Sequence, residues 1–571
     1  MRNIKRIFKN ITSNILFLLV VLIILLIFLS IFEIIGLASI PVLLSSIIIS
    51  DSGNLIQINI FNLTDLISSF SQEDQIKLIS VFIILLFTIK NIFHAFIIFF
   101  QGKIIKNIKI YLSTELFKYY LNQEYIFLLK KKSSDMLRTL SIDVGNSTIY
   151  ILNLLNFIKE TLILISIIAL LFLSNTQISI FLFTSFFIVA FIFFYINKKK
   201  LLNRGKIIQG LSSDLIRTIY ETVGLFKEIK IYNLKVFQYK NFLNKILLAE
   251  KNVFLNYFTT SLPRLFLELT AVILIISTVF FQLYTSSDIL KLLPYLSLIV
   301  VVSIRLIPLF NGLTTSISNL KTIQPSFDLV FDELEKIKSQ STNLNANYIK
   351  FEKKISFKNI DFSYDKKNKI IENLSLDIFK GDKIGIIGES GIGKTTLVNL
   401  LIGLLKPTNG EILFDGVKFS NNQKQFIKNI SYVPQEIFLI EDTLKKNIAL
   451  GVEENNIIDS KIEKVAKTSQ INSFINNLKY KFETKVKENG KNFSVGQKQR
   501  IGVARALYRD PDLIILDEST SSLDTNTEAK FIEDIFDIFS DKTIIFISHK
   551  VSALKNCNKI FDLKEKLYLK Q

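Results

Sequence analysis

Between Ile15 and about Phe310, long apolar runs rich in Ile, Leu and Phe alternate with polar stretches, whereas from Tyr348 onward apolar and charged residues mix at short intervals. A helix needs about 20 apolar residues to cross a hydrocarbon core. Six windows meet that length, at about 15–35, 76–100, 149–173, 178–196, 262–283 and 289–310. The pattern predicts an all-α membrane domain with six spans over residues 1–332, a polar linker over 333–348 and a soluble domain over 349–571. The linker reading rests on KIKSQSTNLNANYIK, which is rich in Asn and Ser. The basic leader before the first window (Arg2, Lys5, Arg6, Lys9) is followed by too long an apolar run, without a small-residue cleavage site, to be a signal peptide.

The formal charge of +19 changes this picture only through its distribution. Asp51–Ile76, Ser174–Gln177 and Tyr284–Ser287 contain no Lys or Arg, while Lys103–Arg138 and Lys198–Lys251 are strongly basic. By the positive-inside rule the amino terminus, both long loops and the carboxy-terminal half are cytoplasmic. The charge is therefore topological, and nucleic acid is not a partner. Both long loops carry helix-like periodicity and are predicted to continue the membrane helices into the cytoplasm. The single cysteine, Cys557, excludes an intramolecular disulfide framework, and two histidines, His94 and His549, make histidine-rich metal chemistry a poor fit.

In the soluble half, GESGIGKT (Gly388, Glu389, Ser390, Gly391, Ile392, Gly393, Lys394, Thr395), followed by Thr396, fits the phosphate-loop pattern. The strand-like KIGIIG precedes it and the apolar TLVNLLIGLL follows, the context this loop requires. Backbone amides at such glycines close around phosphate oxygens, Lys394 supplies charge to the terminal phosphates, and the Thr395 hydroxyl can hold magnesium. Downstream, DLIILDE reads as a buried strand delivering Asp517 and Glu518 to its end. Asp517 is placed near the magnesium, and Glu518 is the candidate general base for the attacking water.

At these residues the last 220 or so positions resemble the nucleotide-binding domain of ABC transporters. KNFSVGQKQR resembles the family signature, with Ser494, Gly496 and Gln497 at its phosphate-contacting positions; it departs from the common LSGGQ at Phe493 and Val495. The resemblance implies that Tyr364 stacks on adenine and that Gln435 senses magnesium and couples to the membrane domain. It further implies that SSLD, ending in Asp524, is the D-loop, that His549 holds the terminal phosphate, and that Glu488 lies in the coupling stretch of exporters. Six spans followed by this domain resemble an exporter-type half-transporter over the whole chain. That architecture implies ATP and Mg2+ as cofactors, coupling helices near Ile126–Arg138 and Ile219–Lys230, and two sites sandwiched between paired copies. The second copy is the chain itself or a related half-transporter.

Charged residues inside spans are costly and usually functional. Lys90, Arg264 and Arg305 all fall in the inner-leaflet half and are expected to form a basic belt in the substrate cavity; the alternative is that Arg264 pairs with Glu268 one turn away, Lys90 snorkels and Arg305 bonds a neighbouring helix. Glu33, Lys159 and Glu160 carry no assignment. LPRLFLE and SIRLIP, with the nucleotide-domain pattern, are similar to the bacterial flippase of lipid-linked oligosaccharides for protein N-glycosylation. This implies a polyprenyl pyrophosphate glycan as cargo in a bacterial cytoplasmic membrane. NLTDLISSF is read either as an outer amphipathic helix near the lipid tail or as an ordinary loop. An exporter of another lipid, drug or peptide, and a nucleotide-gated channel or regulatory subunit, are the alternatives.

Overall fold

The computed structural model describes residues 2–48, 72–174, 176–285, 293–339, 351–365, 368–389, 391–418, 430–518, 532–537, 539–548 and 554–569. The chain divides into two compact units. One holds Met1–Gln123 and Lys131–Ser341, the other Glu124–Lys130 and Thr342–Gln571.

Among the described residues the first unit is built of helices. A short helix α1 (Arg2–Asn10) precedes α2 (Ser13–Ile48), α3 (Gln72–Leu121), α5 (Ser133–Arg138), α6 (Val144–Ser174), α7 (Thr176–Gly224), α8 (Phe226–Ile231), α9 (Lys235–Thr285) and α10 (Leu293–Ser339); α4 (Tyr125–Lys130) lies in the other unit. Each apolar window falls inside one of these helices, except that 289–292 lie outside the described residues. Among the described residues, three stretches are long and apolar enough to cross a membrane by length and composition alone: Ser13–Ser39, Ile76–Leu121 and Ser133–Phe172. The NLTDLISSF segment lies outside the described residues.

Among the described residues two apolar cores hold this unit together. One joins Leu22, Leu26 and Leu29 of α2, Ile104 and Ile108 of α3, and Phe327 and Phe331 of α10. The other joins Ile163 and Ile167 of α6, Leu267 of α9 and Phe310 of α10. Phe187, Phe191, Leu265 and Phe266 remain exposed on α7 and α9, as expected for faces that meet lipid acyl chains. Residues 333–339, assigned to the linker from sequence, are helical: Leu334 is buried in the first core and Glu335 is bound by Arg6, so α10 continues to Ser339.

A π-helical turn at Thr139–Asp143 interrupts the run from α5 into α6. Asp143, fully buried, accepts hydrogen bonds from Ser326 Oγ (2.6 Å) and Gln209 Nε2 (3.1 Å) and pairs with Arg138 Nε (3.0 Å). Here α7 meets α10 so closely that a Cβ on Gly205 would lie 2.0 Å from the Thr322 carbonyl oxygen.

Among the described residues the second unit contains two sheets. β1 (Lys354–Phe362), β2 (Ile371–Phe379), β4 (Asn409–Phe414) and β5 (Val417–Lys418) form an antiparallel sheet in the order β2-β1-β4-β5. β3 (Lys383–Ile387), β6 (Ile430–Val433), β7 (Leu513–Asp517), β8 (Thr543–Ile547), β9 (Lys559–Asp562) and β10 (Leu567–Leu569) form the second sheet, ordered β10-β9-β3-β8-β7-β6. It is parallel except at β10. All residues of β7 and β8 are buried, as expected of central strands covered on both faces. Alternate residues serve opposite cores. Leu513, Ile515, Ile545 and Ile547 pack with α11 (Lys394–Leu401), while Ile514, Leu516, Ile544 and Phe546 pack with the later helices α12 (Leu444–Ile448), α13 (Asp459–Thr468), α14 (Asn472–Asn476) and α15 (Val495–Tyr508). The phosphate-loop helix and the signature helix thus occupy opposite faces of one sheet.

Candidate functional site

β3 ends at Ile387, and the chain turns through Gly388–Gly393 into α11. Gly391 (φ 85°) and Gly393 (φ 109°) adopt left-handed backbone that disfavours side chains, and a Cβ on Gly393 would press on Ile370 at 3.0 Å. Lys394, nearly buried, donates to the Gly388 carbonyl at 2.7 Å and lies 3.9 Å from Glu518 Oε1. Burial lowers its pKa, against the pull of Glu518 and Asp517. Thr395 is exposed beside it, and the Thr396 hydroxyl lies 3.3 Å from the Tyr364 hydroxyl. The Tyr364 ring rests edge-on against Phe362 at 4.9 Å between centroids. Glu389 is held by Lys564 at 2.9 Å, and Ile392 packs against the sheet core.

β7 carries the two carboxylates. Asp517 is its last residue, and burial raises its pKa while a hydrogen bond from the Tyr432 hydroxyl (3.0 Å) opposes that rise. Glu518 follows in left-handed backbone (φ 46°), and its amide donates to the Ile547 carbonyl at 3.0 Å, which turns the side chain off the strand end. Gln435 Nε2 donates to Glu518 Oε2 at 2.8 Å. The structure therefore brings Lys394, Gln435, Asp517 and Glu518 together, with Thr395 one residue from Lys394. Tyr432, the direct partner of Asp517, escaped the sequence reading; its only signal was its place in the strand that leads to Gln435.

Ser494 caps α15. Its hydroxyl accepts from the Gln497 amide at 3.2 Å, and the Gln497 side chain accepts from the Ser494 amide at 2.8 Å, a reciprocal capping box. Phe493, one departure from the common signature, is buried edge-on against Phe474 at 5.7 Å and so fills the core. Val495, the other departure, is 60 % exposed at the first helical position beside Gly496. Glu488 lies on a surface turn paired with Lys491. Ser390, Asp524 and His549 lie outside the described residues.

Hard oxygen donors suit Mg2+. The exposed Thr395 hydroxyl, the Gln435 side chain and a buried carboxylate whose charged form is disfavoured without a cation fit that ion.

In the membrane unit the expected belt of open cations is corrected. Lys90 Nζ donates to Glu33 Oε2 at 2.6 Å, Arg305 bonds the other Glu33 oxygen, and Arg264 Nε donates to Glu268 Oε1 at 2.8 Å. In a low-dielectric bundle an unpaired cation is so costly that a nearby carboxylate is captured. Glu33, unassigned from sequence, is the centre of this group. Glu160 lies against Gly312 and Ser316 of α10.

The chain is similar to known proteins in both of its units. Residues 371–521 match the family model described as ABC transporter. A "Putative export ATP-binding/permease protein" of Rickettsia typhi is 29 % identical over 512 residues, spanning 87 % of each chain. The lactococcin-G-processing and transport ATP-binding protein of Lactococcus lactis is 35 % identical over 237 residues, 41 % of this chain and 33 % of that one. The structure of a bacterial Atm1-family ABC exporter with ATP bound superposes with a TM-score of 0.78 at 18 % identity, covering 95 % of this chain and 92 % of that one. The fold is that of an ABC exporter: a helical membrane domain followed by an α/β nucleotide-binding domain. With an ABC transporter domain over residues 371–521, the chain is an ATPase coupled to transport.

Proposed function

We propose that two copies of this chain bind two ATP molecules, each between the phosphate loop of one copy and Ser494, Gly496 and Gln497 of the other, and that hydrolysis drives export across a bacterial cytoplasmic membrane. One observation carries the reading: Glu518, at the end of β7, is oriented by Gln435 at 2.8 Å and stands 3.9 Å from Lys394. In that position Glu518 accepts the proton of the attacking water, Lys394 neutralises the terminal phosphates, and Tyr364 offers its ring to adenine. Thr395, Gln435 and Asp517 would hold Mg2+, which when bound neutralises charge on the phosphates. His549 and Asp524 are assigned by the family pattern to the terminal phosphate and the dimer contact. Substituting Glu518→Gln lowers ATP turnover by about 10²-fold or more while ATP stays bound. Turnover at the wild-type rate would show instead a regulatory nucleotide site.

The finer reading is a lipid-linked oligosaccharide as cargo. The span motifs LPRLFLE and SIRLIP support it, and so does the charge of the Glu33 group, where two cations share one carboxylate and one positive charge is left. Arg305, 39 % exposed, is the member through which a pyrophosphate could be met. In proteoliposomes a polyprenyl pyrophosphate glycan is expected to raise ATPase activity and to cross the bilayer. No response to it, with a response to an uncharged drug, would refute this cargo and leave the exporter reading intact.

A further inference from the structure

Helices α6 and α10 meet along a polar seam that repeats every seven residues on both, in opposite directions. Asn146 Nδ2 donates to Ser326 Oγ at 3.3 Å, and Asn319 Nδ2 donates to Asn153 Oδ1 at 3.2 Å. One more step of seven along each helix brings Glu160 opposite Gly312, where a Cβ would collide with the Glu160 carboxylate. Such a repeat keeps two facing helices in register. In the first two layers a side chain bonds a side chain, whereas in the third the carboxylate rests on bare backbone. Buried Ser316 donates to it from one turn away, but only over 3.5 Å. Among the described residues no lysine or arginine pairs with Glu160; Lys159, its neighbour on α6, acts on it only through space.

We infer that Glu160 is a docking point for the positive charge of an amphipathic organic cation, in a site that Gly312 leaves open. The other carboxylates of this unit show what a low-dielectric bundle demands: Glu33 holds Lys90 and Arg305, and Glu268 holds Arg264. Glu160 meets no such partner from its own chain, so an incoming cation finds an acceptor already in place and already largely out of water. The surroundings favour an organic cation over a metal ion. Hard metal ions ask for about six oxygen ligands, whereas one carboxylate and one hydroxyl gather here. Phe157 and Ile163 on α6 and Leu309 and Leu313 on α10, each within about a turn of the carboxylate or of Gly312, supply apolar walls. An aromatic ring so near also suits an ammonium group. Arg305 lies seven residues before Gly312, about 10 Å along the helix, so a cation at Glu160 and an anion at Arg305 take separate places. The site presupposes an exporter, but not the anionic cargo proposed above.

The test titrates full-length protein in nanodiscs with tetraphenylphosphonium and with tetraphenylborate, a cation and an anion of one shape, against empty nanodiscs. Wild type is expected to bind the cation above the lipid background and to change its ATPase rate as it does so. Glu160→Gln should weaken cation binding about ten- to hundredfold, the loss of one charge-assisted contact, and leave tetraphenylborate binding at the wild-type value. Glu160→Asp keeps the charge and should retain most of the affinity. Gly312→Ala alters no charge but sets a methyl where the carboxylate lies, and should weaken the cation alone. Equal cation affinity in wild type and Glu160→Gln, or no cation binding to wild type above empty nanodiscs, would overturn the inference. Cation binding by a wild type that turns over no ATP would leave the site standing and strike the exporter reading instead.

Discussion

Substitution of Glu33 provides a sharp energetic test of the membrane unit. The carboxylate is 10 % exposed and bridges Lys90, 5 % exposed, to Arg305, 39 % exposed. The Glu33→Gln change keeps the volume but leaves two like charges facing each other, one of them deeply buried. Breaking a buried pair from one side costs about 3–5 kcal/mol, because an uncompensated charge remains. Lys90→Gln is far milder: Glu33 keeps Arg305, the pair is neutral, and the loss is about one charge-assisted hydrogen bond, roughly 1.5–3 kcal/mol. The double variant Glu33→Gln/Lys90→Gln removes one buried cation as well and should recover part of the loss, a coupling that a double-mutant cycle reads directly. Thermal unfolding in nanodiscs at fixed lipid composition and scan rate gives the order: Glu33→Gln lowest, by about 5–10 °C on the usual scaling for large domains, then the double variant, then Lys90→Gln. Equal losses for Glu33→Gln and Lys90→Gln, or a double variant worse than both, would refute the hub and restore the idea of independent cations.

Two further outcomes follow from the packing. Gly205→Ala places a methyl 2.0 Å from the Thr322 carbonyl oxygen, and because backbone stands on both sides the helices must separate; a loss of at least about 1–3 kcal/mol is expected as a lower melting temperature, and a melting curve identical to wild type would refute the close approach. Asp415 is partly buried, which pushes its pKa up, but the backbone amides of Glu352, Lys354 and Lys353 at 2.6–2.7 Å outweigh this and hold it below the usual carboxylate value. Its contribution is therefore present above the unfolded value near pH 4 and is lost as pH falls through the folded value. Asp415→Asn should accordingly destabilise the protein at pH 7 and converge with wild type in acid melts.

The two parts of the molecule were legible to different degrees for physical reasons. A phosphate loop is a local object: its glycines, Lys394 and Thr395 lie within eight residues, so sequence alone displays the chemistry. The strand behind Asp517 and Glu518 shows itself equally as an unbroken apolar run. The ion pairs of the membrane unit are not local. Glu33 meets Lys90 across 57 residues of sequence and Arg305 across far more, and nothing in either span announces its partner. The single pairing visible in advance, Arg264 with Glu268, is the one made by helical spacing. Polar composition misled at residues 333–339, because Glu335 is polar in order to hold Arg6, not because the chain unwinds there. Phe493 read as a departure from a motif, whereas its ring belongs to the core.

Helix α4 has a practical consequence. Although it is encoded in the first quarter of the chain, Tyr125 and Ile126 pack into the same apolar core as the phosphate-loop helix, and Glu124 is bonded by Lys406 at 2.6 Å. A fragment beginning at Thr342 would lack that seven-residue piece of its own fold. Its surface would carry a bare greasy notch and an orphaned lysine, and grafting Glu124–Lys130 back through a short tether is the remedy the architecture itself suggests for anyone expressing the motor alone.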